Sequence, residues 1–301
     1  MDQDQTVRLS RRTLGRLAGA TALTGAAGAA TAQAAGAAPA NSSTFRVASF
    51  NILSDLKDSQ FKEDFVAIMD RAELVGLQEV QGRGDIINQW ASNHGFYAWT
   101  PAKTWGREVT VLAKKSMFDR IDKGTIFVCD TGGSGNPPPP RYITWAQYVH
   151  KPSGRRITHV NNHLNAHIDD NGHPYDLPRT RDAEKHLRMI KDLVLDKKSN
   201  GQVVVTGDFN VDYQDDKRVT YAKFPYTVLE NRQNGLPSLR SSYSRIGVTG
   251  LPTLGRRRVD YVYAWIRPAD NRFMDFDDHH YVFDSKHSDH NAVVARLWMK
   301  H

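Results

Sequence analysis

The stretch Gln202-Val203-Val204-Val205-Thr206-Gly207-Asp208-Phe209-Asn210 joins a β-branched run to a polar ending. A run of this composition and length predicts a buried strand. Its end carries a carboxylate, Asp208, and an amide, Asn210, two positions apart, which puts both on one side of an extended chain. Such a pair can hold a metal-bound water or a phosphate oxygen, although Asp and Asn also end strands simply to form turns.

Other predicted strands carry polar groups in the same way. One alternating strand ends at Asn51, and another run reaches a polar end at His163. Glu79 and Asp260 each lie inside an otherwise apolar or aromatic run. Isolated charges in buried strands are costly unless they are paired or bound to a metal. We therefore expect these side chains to gather in one site.

Six short motifs follow one another along the chain. They are Ser49-Phe50-Asn51, Leu77-Gln78-Glu79-Val80, Asn162-His163-Leu164, Gly207-Asp208-Phe209-Asn210, Val259-Asp260-Tyr261-Val262 and Ser288-Asp289-His290. Each is short, but the ordered set, over residues 45–297, resembles the endonuclease/exonuclease/phosphatase superfamily of deoxyribonucleases, abasic-site endonucleases, sphingomyelinases and inositol phosphatases. The resemblance implies an α/β fold, a four-layer sandwich of two facing mixed β-sheets flanked by helices, with the site at one edge.

The middle of the chain resembles the deoxyribonuclease-I-like branch in particular. Residues 106–112 resemble the segment that supplies a second acidic partner, which is Glu108 here, and residues 141–146 resemble an Arg…Trp-Ala pattern of bacterial members. Abasic-site endonucleases carry an acidic metal ligand two residues after the first-strand Asn, where this chain has Leu53. That difference argues against a role in abasic-site repair.

Segments with helical spacing alternate with the strands, at residues 58–71, 85–94 and 179–195. Such alternation implies a layered α/β fold. No Pro/Gly/Ser-rich linker and no internal repeat divides the chain after residue 40, so we expect a single domain over residues 41–301.

The first 40 residues predict an export signal. Arg11 and Arg12 precede an Ala- and Gly-rich run that ends in small residues, an order that resembles a twin-arginine signal peptide. We expect cleavage near residues 35–40 and a secreted, extracellular protein, the alternative being a cytoplasmic protein with an Ala-rich tail. Cys129 is the only cysteine, which excludes an internal disulfide.

The chain is basic, with 40 Lys and Arg against 33 Asp and Glu and a net charge of +7. This excess is compatible with a polyanionic substrate, although many solvated surfaces carry as much. Candidate cations for substrate phosphates are Arg141, Arg181, Arg256, Arg257 and Arg258. The alternatives are an ordinary solvated loop for the last three and pairing with surface carboxylates for the first two.

Cleavage of a phosphodiester builds negative charge on the phosphate oxygens. A hard divalent cation held by oxygen ligands neutralises that charge, and Mg²⁺ suits such a site, with Mn²⁺ or Ca²⁺ as alternatives. Glu79 is the leading candidate for a metal ligand, and Asn51 and Asp289 are its expected supporting ligands. The other interpretation of Glu79 is a salt-bridged core acid.

His290 is the candidate general acid or base, because histidine titrates near neutral pH. We expect Asp260 to accept the other ring hydrogen of His290 and so to fix its tautomer. The resemblance implies a second pair, His163 with Glu108, on the other side of the phosphate.

The remaining catalytic candidates follow the strand that ends at Asp208. Asp208 would orient or deprotonate the attacking water, and Asn210 would donate a hydrogen bond to the phosphate or to that water. The role of His167, four residues after His163, stays open.

Together these patterns predict a secreted, divalent-metal-dependent phosphodiesterase, most simply a monomeric endonuclease or exonuclease acting on nucleic acid. Alternatives are a sphingomyelinase- or phospholipase-C-like esterase at membrane lipid, a small-phosphate phosphoesterase, and a catalytically dead binding module on the same scaffold. The aromatic segment at residues 99–105 suits either a membrane surface or stacked bases. The sequence does not distinguish among DNA, RNA and phospholipid.

Overall fold

The computed structural model describes residues 37–101, 108–130, 140–169, 178–230, 239–268 and 271–301. All of these residues lie in one compact unit. The predicted export signal lies outside the described residues except for residues 37–40, and so does most of the aromatic segment at residues 99–105. Among the described residues, no helix combines the length and the apolar character that a membrane crossing needs.

Within these ranges the chain forms twelve strands and five α-helices. The strands are β1 (Ser42–Asn51), β2 (Leu74–Gln78), β3 (Phe96–Trp99), β4 (Thr110–Lys114), β5 (Phe118–Cys129), β6 (Arg141–His150), β7 (Arg155–His163), β8 (Gln202–Asp208), β9 (Leu239–Ser241), β10 (Asp260–Trp265), β11 (Met274–Phe283) and β12 (Ala292–Lys300). The helices are α1 (Asp58–Met69), α2 (Gly84–Asn93), α3 (Pro178–Lys197), α4 (Tyr213–Val219) and α5 (Ser242–Arg245). The three helices predicted from sequence correspond to α1, α2 and α3 within two residues at every end.

The strands form two six-stranded sheets that pack face to face. The first has the order β11-β12-β1-β2-β4-β3 and the second the order β5-β6-β7-β8-β10-β9. Each sheet is mixed, because β1 runs parallel to β2 and β7 runs parallel to β8, whereas the other pairs are antiparallel. Helices α1 and α2 cover the outer face of the first sheet, and α3 covers that of the second. The predicted α/β sandwich of two facing mixed sheets is confirmed.

Alternation along β1 shows how the sequence assigns each side chain to a layer. Phe45 and Val47 lie in the core between the sheets, whereas Ala48 and Phe50 pack against the helices. Successive side chains of a strand point to opposite faces. The same alternation directs Asn51, at the end of β1, to the side between the sheets.

A buried amide joins the two sheets just behind their polar edge. The Nδ2 of Asn161 in β7 donates to the carbonyls of Leu77 (2.7 Å) and Thr110 (2.9 Å) in the first sheet. Its Oδ1 accepts from Gln78 Nε2 (2.6 Å) and Thr206 Oγ1 (3.0 Å). A buried polar group that makes all of its hydrogen bonds does not lower the stability of the fold, because these bonds compensate for the loss of contact with water. The contact therefore fixes how the two sheets align at the edge where the strands end.

Gly76→Ala should destabilise the fold, because side chains of the second sheet pack directly against this glycine. A Cβ there would lie 2.0 Å from Thr206 Oγ1 and 2.6 Å from Asn161 Oδ1. Overpacking of a well-filled interior typically costs about 1–3 kcal/mol. Urea denaturation followed by circular dichroism measures the loss, and an unchanged midpoint would show that the sheets can separate here without cost.

Candidate active site

The polar strand ends meet at one edge of the sandwich. His163 ends β7, Asp208 ends β8 and Asp260 begins β10. The ladder pairs His163 with Asp208 and Asp208 with Asp260. Because directly paired residues point to the same face of a sheet, the three side chains form a row. The row faces the first sheet, since Asn161 shares its face with His163 and contacts that sheet.

The buried carboxylate of Asp208 lies at the centre of the site. Its Oδ2 is 3.1 Å from Asn51 Nδ2, 3.5 Å from His163 Nε2 and 3.9 Å from His290 Nε2. These nitrogens come from β1, from β7 and from the loop before β12. Groups far apart in the sequence thus converge on one oxygen atom.

His290 and Asp260 form the first His–acid pair, with Nδ1 2.9 Å from Oδ2. Burial disfavours the charged imidazole, but the charge and hydrogen bond of Asp260 outweigh it and raise the pKa of His290 to about 10. Burial also raises the pKa of Asp260, to about 6, although the charge and hydrogen bond of His290 act to lower it. His290 therefore carries its proton at neutral pH, with Nδ1–H donated to Asp260 and Nε2 directed toward Asp208.

His163 and Glu108 form the second pair, with Nδ1 2.6 Å from Oε1. Arg141 also donates to Glu108, and its Nη1 lies 3.2 Å from His163 Nδ1. Burial alone would raise the pKa of Glu108, but the charges of Arg141 and His163 outweigh burial and lower the pKa to about 2. Glu108 therefore stays ionised and holds His163 with Nε2 facing Asp208.

The arginines are arranged differently from the sequence expectation. Arg141 is only 4% exposed and is bound to Glu108, so it supports a histidine and does not face the solvent. Arg257 is paired with Asp169 and donates to the carbonyl of Asn210 (3.2 Å). The backbone N–H of Arg258 donates to Asp212 (2.8 Å), and its Nη2 donates to Gly250 O (3.2 Å). These contacts hold loops together. A guanidinium that is already paired also has fewer donors left for a substrate phosphate.

Four other predicted or undecided residues are exposed. Arg256 lies in the turn before Arg258, Arg181 lies near the start of α3, and Asp289 directly precedes His290. His167 is also exposed, and its carbonyl accepts a hydrogen bond from Arg179 Nε (2.7 Å).

Two expectations about local geometry are corrected. Strand β8 ends at Asp208, and Asn210 has a φ of 53°, so the two side chains do not share one side of an extended chain. Instead the Asn210 backbone N–H donates to Asp208 Oδ1 (2.8 Å), and its Nδ2 donates to Leu164 O (3.1 Å). Glu79 lies one residue beyond β2, with a φ of 60°, and not inside the strand. Non-glycine residues rarely adopt positive φ, and such residues cluster at functional sites.

Glu79 offers carboxylate oxygens for a hard cation, and Asn51 offers an amide oxygen that also accepts a hydrogen bond from Leu53 N (3.2 Å). Asn51 Nδ2 donates to Glu79 Oε1 (3.0 Å), and Ser54 N donates to Glu79 Oε2 (3.2 Å). Carboxylate and amide oxygens are ligands that Mg²⁺ and Ca²⁺ accept. Glu79 is only half-buried, which leaves coordination positions open to water. This donor set therefore fits a divalent metal.

A second possible metal site comprises Asp208, Asp260 and His290, whose ligand atoms all lie within 4.8 Å of one another. A histidine must give up a proton to bind a metal. His290 instead keeps its ring nitrogens between two carboxylates, with Nδ1 2.9 Å from Asp260 Oδ2 and Nε2 3.9 Å from Asp208 Oδ2. Binding of a metal by these three residues would therefore require His290 to lose a proton that its pairing with Asp260 favours.

Asp64 of α1 is a supporting residue that the sequence reasoning missed. Its buried carboxylate accepts three backbone hydrogen bonds, from Lys286 (2.9 Å), His287 (3.0 Å) and Ser288 (2.9 Å). These bonds hold the loop that carries His290. The available sequence signal was an acid on the apolar stripe of α1, between Phe61 and Ile68.

Residues 48–290 match the Endonuclease/Exonuclease/phosphatase family, and the chain belongs to this family. The protein is therefore a phosphoesterase by class, and members of the family use divalent metals. No curated protein matches the chain.

Solved structures of low sequence identity share the fold. An endonuclease/exonuclease/phosphatase from Bacteroides vulgatus has a TM-score of 0.63 and 18% identity, covering 86% of this chain and 100% of its own. D. rerio TDP2 complexed with single-strand DNA product has a TM-score of 0.61 and 14% identity, covering 85% and 99%. Mannosyl-6-phosphatase from Bacteroides thetaiotaomicron has a TM-score of 0.56 and 15% identity, covering 84% and 98%. These likenesses concern the fold alone.

Proposed function

We propose that this protein is a secreted, divalent-metal-dependent phosphodiesterase of the deoxyribonuclease-like branch, and that its substrate is nucleic acid. The observation that carries the proposal is the pair of histidines that flank Asp208, with His163 Nε2 at 3.5 Å and His290 Nε2 at 3.9 Å from the same oxygen. Each histidine is oriented through Nδ1 by its own acid. Hydrolysis of a phosphodiester expels an alkoxide leaving group, which a protonated and oriented imidazole can protonate as it departs.

The chain's own groups divide the work in this proposal. Asp208, whose Oδ1 is held by the Asn210 backbone, orients the attacking water through Oδ2 and accepts its proton. His290 enters the reaction protonated and gives the Nε2 proton to the leaving oxygen. His163, oriented by Glu108 through Nδ1, lies on the other side of the phosphate with Nε2 facing it.

A divalent ion, Mg²⁺ in the first instance and Mn²⁺ or Ca²⁺ as substitutes, would be held by Glu79 and Asn51, with Asp289 as a further ligand. When bound, it would neutralise charge on the phosphate oxygens. Glu79, Asn51 and Asp289 would orient the ion beside the row formed by Asp260, Asp208 and His163.

Charge near the site supports a nucleic-acid substrate. Leu254 forms backbone β-bridges with both Arg257 and His290. The turn that carries the exposed Arg256 therefore adjoins the loop that carries His290. Without its first 40 residues the chain keeps 36 Lys and Arg against 31 Asp and Glu, a net charge of +5. Positive charge near the site would attract a phosphate backbone. Secretion rests on the twin-arginine-like start of the sequence, and we expect the protein to act as a monomer.

Arg256→Ala should weaken binding of nucleic acid and reduce its dependence on salt. Each neutralised phosphate releases counterions, so loss of one contact lowers the slope of log affinity against log salt by about one. The binding protein is the catalytically impaired His290→Ala variant, titrated with duplex DNA, single-stranded DNA, RNA and anionic vesicles at several salt concentrations. Arg188→Ala is the matched control, because Arg188 is exposed on α3 and pairs with Glu184.

If the protein binds none of the nucleic acids in a salt-dependent manner, the nuclease proposal fails. Hydrolysis of sphingomyelin, phospholipid or a sugar phosphate by wild-type protein would then identify the esterase alternative.

A further inference from the structure

Two aromatic side chains extend the row of site residues across the second sheet. Phe127 of β5 pairs directly with Tyr142 of β6. The next ladder pairs Ile143 with Asn162, so Tyr142 lies one position further along, beside His163. Directly paired residues share a face. One face of the sheet therefore carries, in order across five strands, Asp260, Asp208, His163, Tyr142 and Phe127.

The outer end of this row is open to solvent. Phe127 is 48% exposed and Tyr142 is half-buried. Their ring centroids are 5.5 Å apart and the rings meet edge to face at 69°. Strands are spaced about 4.8 Å apart, so Tyr142 lies about 5 Å and Phe127 about 10 Å beyond His163. An exposed aromatic pair thus begins one strand away from a catalytic histidine.

A solitary exposed apolar side chain needs no functional explanation. Phe127 differs because it is paired with a second ring and aligned with the catalytic row. Apart from Ile121, the other exposed side chains of β5 are charged, namely Asp119, Asp122 and Lys123. A strand with these charges is poorly suited to enter lipid, whereas a nucleotide combines a flat apolar base with a charged backbone.

We propose that Phe127 and Tyr142 form a stacking platform for a nucleobase next to the scissile phosphate. This inference rests on the proposed nuclease function, whose phosphate would lie over Asp208 and the two histidines. A neighbouring base that is not held in a duplex would then lie over β6 and β5 and contact the two rings. Stacking accepts any base, so the platform favours single-stranded or frayed nucleic acid without selecting a sequence.

The test compares two ligands with the same charge. One is a short fluorescent single-stranded DNA, and the other has the same phosphate backbone with tetrahydrofuran residues in place of every nucleoside. Binding is measured by fluorescence anisotropy in the His290→Ala protein, which we expect to leave the DNA intact. If the platform stacks a base, the DNA binds about tenfold more tightly than the base-free backbone.

Phe127→Ala should remove most of that difference and leave affinity for the base-free backbone unchanged. Phe127→Trp, which keeps an aromatic ring, should preserve the preference. Ile121→Ala is the matched control, because Ile121 is a second large apolar side chain of β5 and is 46% exposed. Since Phe127 is exposed, its replacement spares the core.

Equal binding of the two ligands by the parent protein would overturn the platform, and so would a preference that survives Phe127→Ala. Cleavage is scored separately with wild-type protein on the same DNA. Failure to cleave, together with base-dependent binding that needs Phe127, would overturn the nuclease proposal and leave the platform standing.

Discussion

His290→Ala should lower the rate of phosphodiester hydrolysis by roughly 10²–10⁴-fold, the usual contribution of a positioned acid or base. The reason is that His290, paired with Asp260 at 2.9 Å and directed at Asp208, is the protonated group nearest the leaving oxygen in the proposed mechanism. The measurement is kcat on a nucleic-acid or aryl phosphodiester substrate with saturating Mg²⁺. Urea denaturation of the same preparation separates loss of chemistry from loss of folding.

His287→Ala is the matched control for this variant. His287 lies three residues earlier in the same loop and contacts Glu63 Oε2 at 3.2 Å, away from Asp208. It should retain nearly the wild-type rate. A folded His290→Ala protein with a rate close to wild type would remove His290 from the mechanism.

Glu79→Gln should nearly abolish hydrolysis at ordinary Mg²⁺ concentrations. The substitution keeps the size of the side chain and its possible hydrogen bond to Ser54, but removes the charge that a hard cation requires. Any remaining activity should therefore need a higher concentration of added metal than the wild-type protein needs. Titration of activity with Mg²⁺, Mn²⁺ and Ca²⁺, after treatment of the protein with chelator, measures this.

Glu63→Gln serves as the control, because Glu63 lies on the exposed side of α1 and pairs with Lys286 and His287. Its metal dependence should match that of wild type. Wild-type activity that persists in excess chelator would contradict metal-dependent hydrolysis. Normal metal affinity in the Glu79→Gln protein would show that Glu79 is not a metal ligand.

The layers of the fold were predictable because the periodicity of apolar residues specifies which segments are strands and which are helices. The β-branched run before Asp208 and the alternation that ends at Asn51 both specify strands without reference to the rest of the chain. Helical spacing gave α1, α2 and α3 in the same way. Which strands are neighbours is a different matter, because pairing depends on contacts far apart in sequence. The facing arrangement of the sheets came only from the ordered motifs and their resemblance to a family.

The members of the site were predictable as a set, since polar groups at the ends of buried strands must collect somewhere. Their individual contacts were not. Arg141 was a candidate for binding either a substrate phosphate or a surface carboxylate, and it is buried against Glu108. Asn210 donates from its side-chain amide to the chain just after β7. Asp64 was overlooked because its partners are backbone N–H groups more than two hundred residues away, and backbone donors leave no pattern in a sequence.

Strand β12 is synthesised after every other strand described, yet it lies between β1 and β11. It follows directly on the loop in which Ser288 Oγ donates to the carbonyl of Asn51 at 2.8 Å. A nascent chain that has reached only Asp260 lacks both His290 and the strand that braces β1. We therefore expect a nascent chain to lack hydrolase activity until β12 and the loop before it have left the ribosome and joined the sheet.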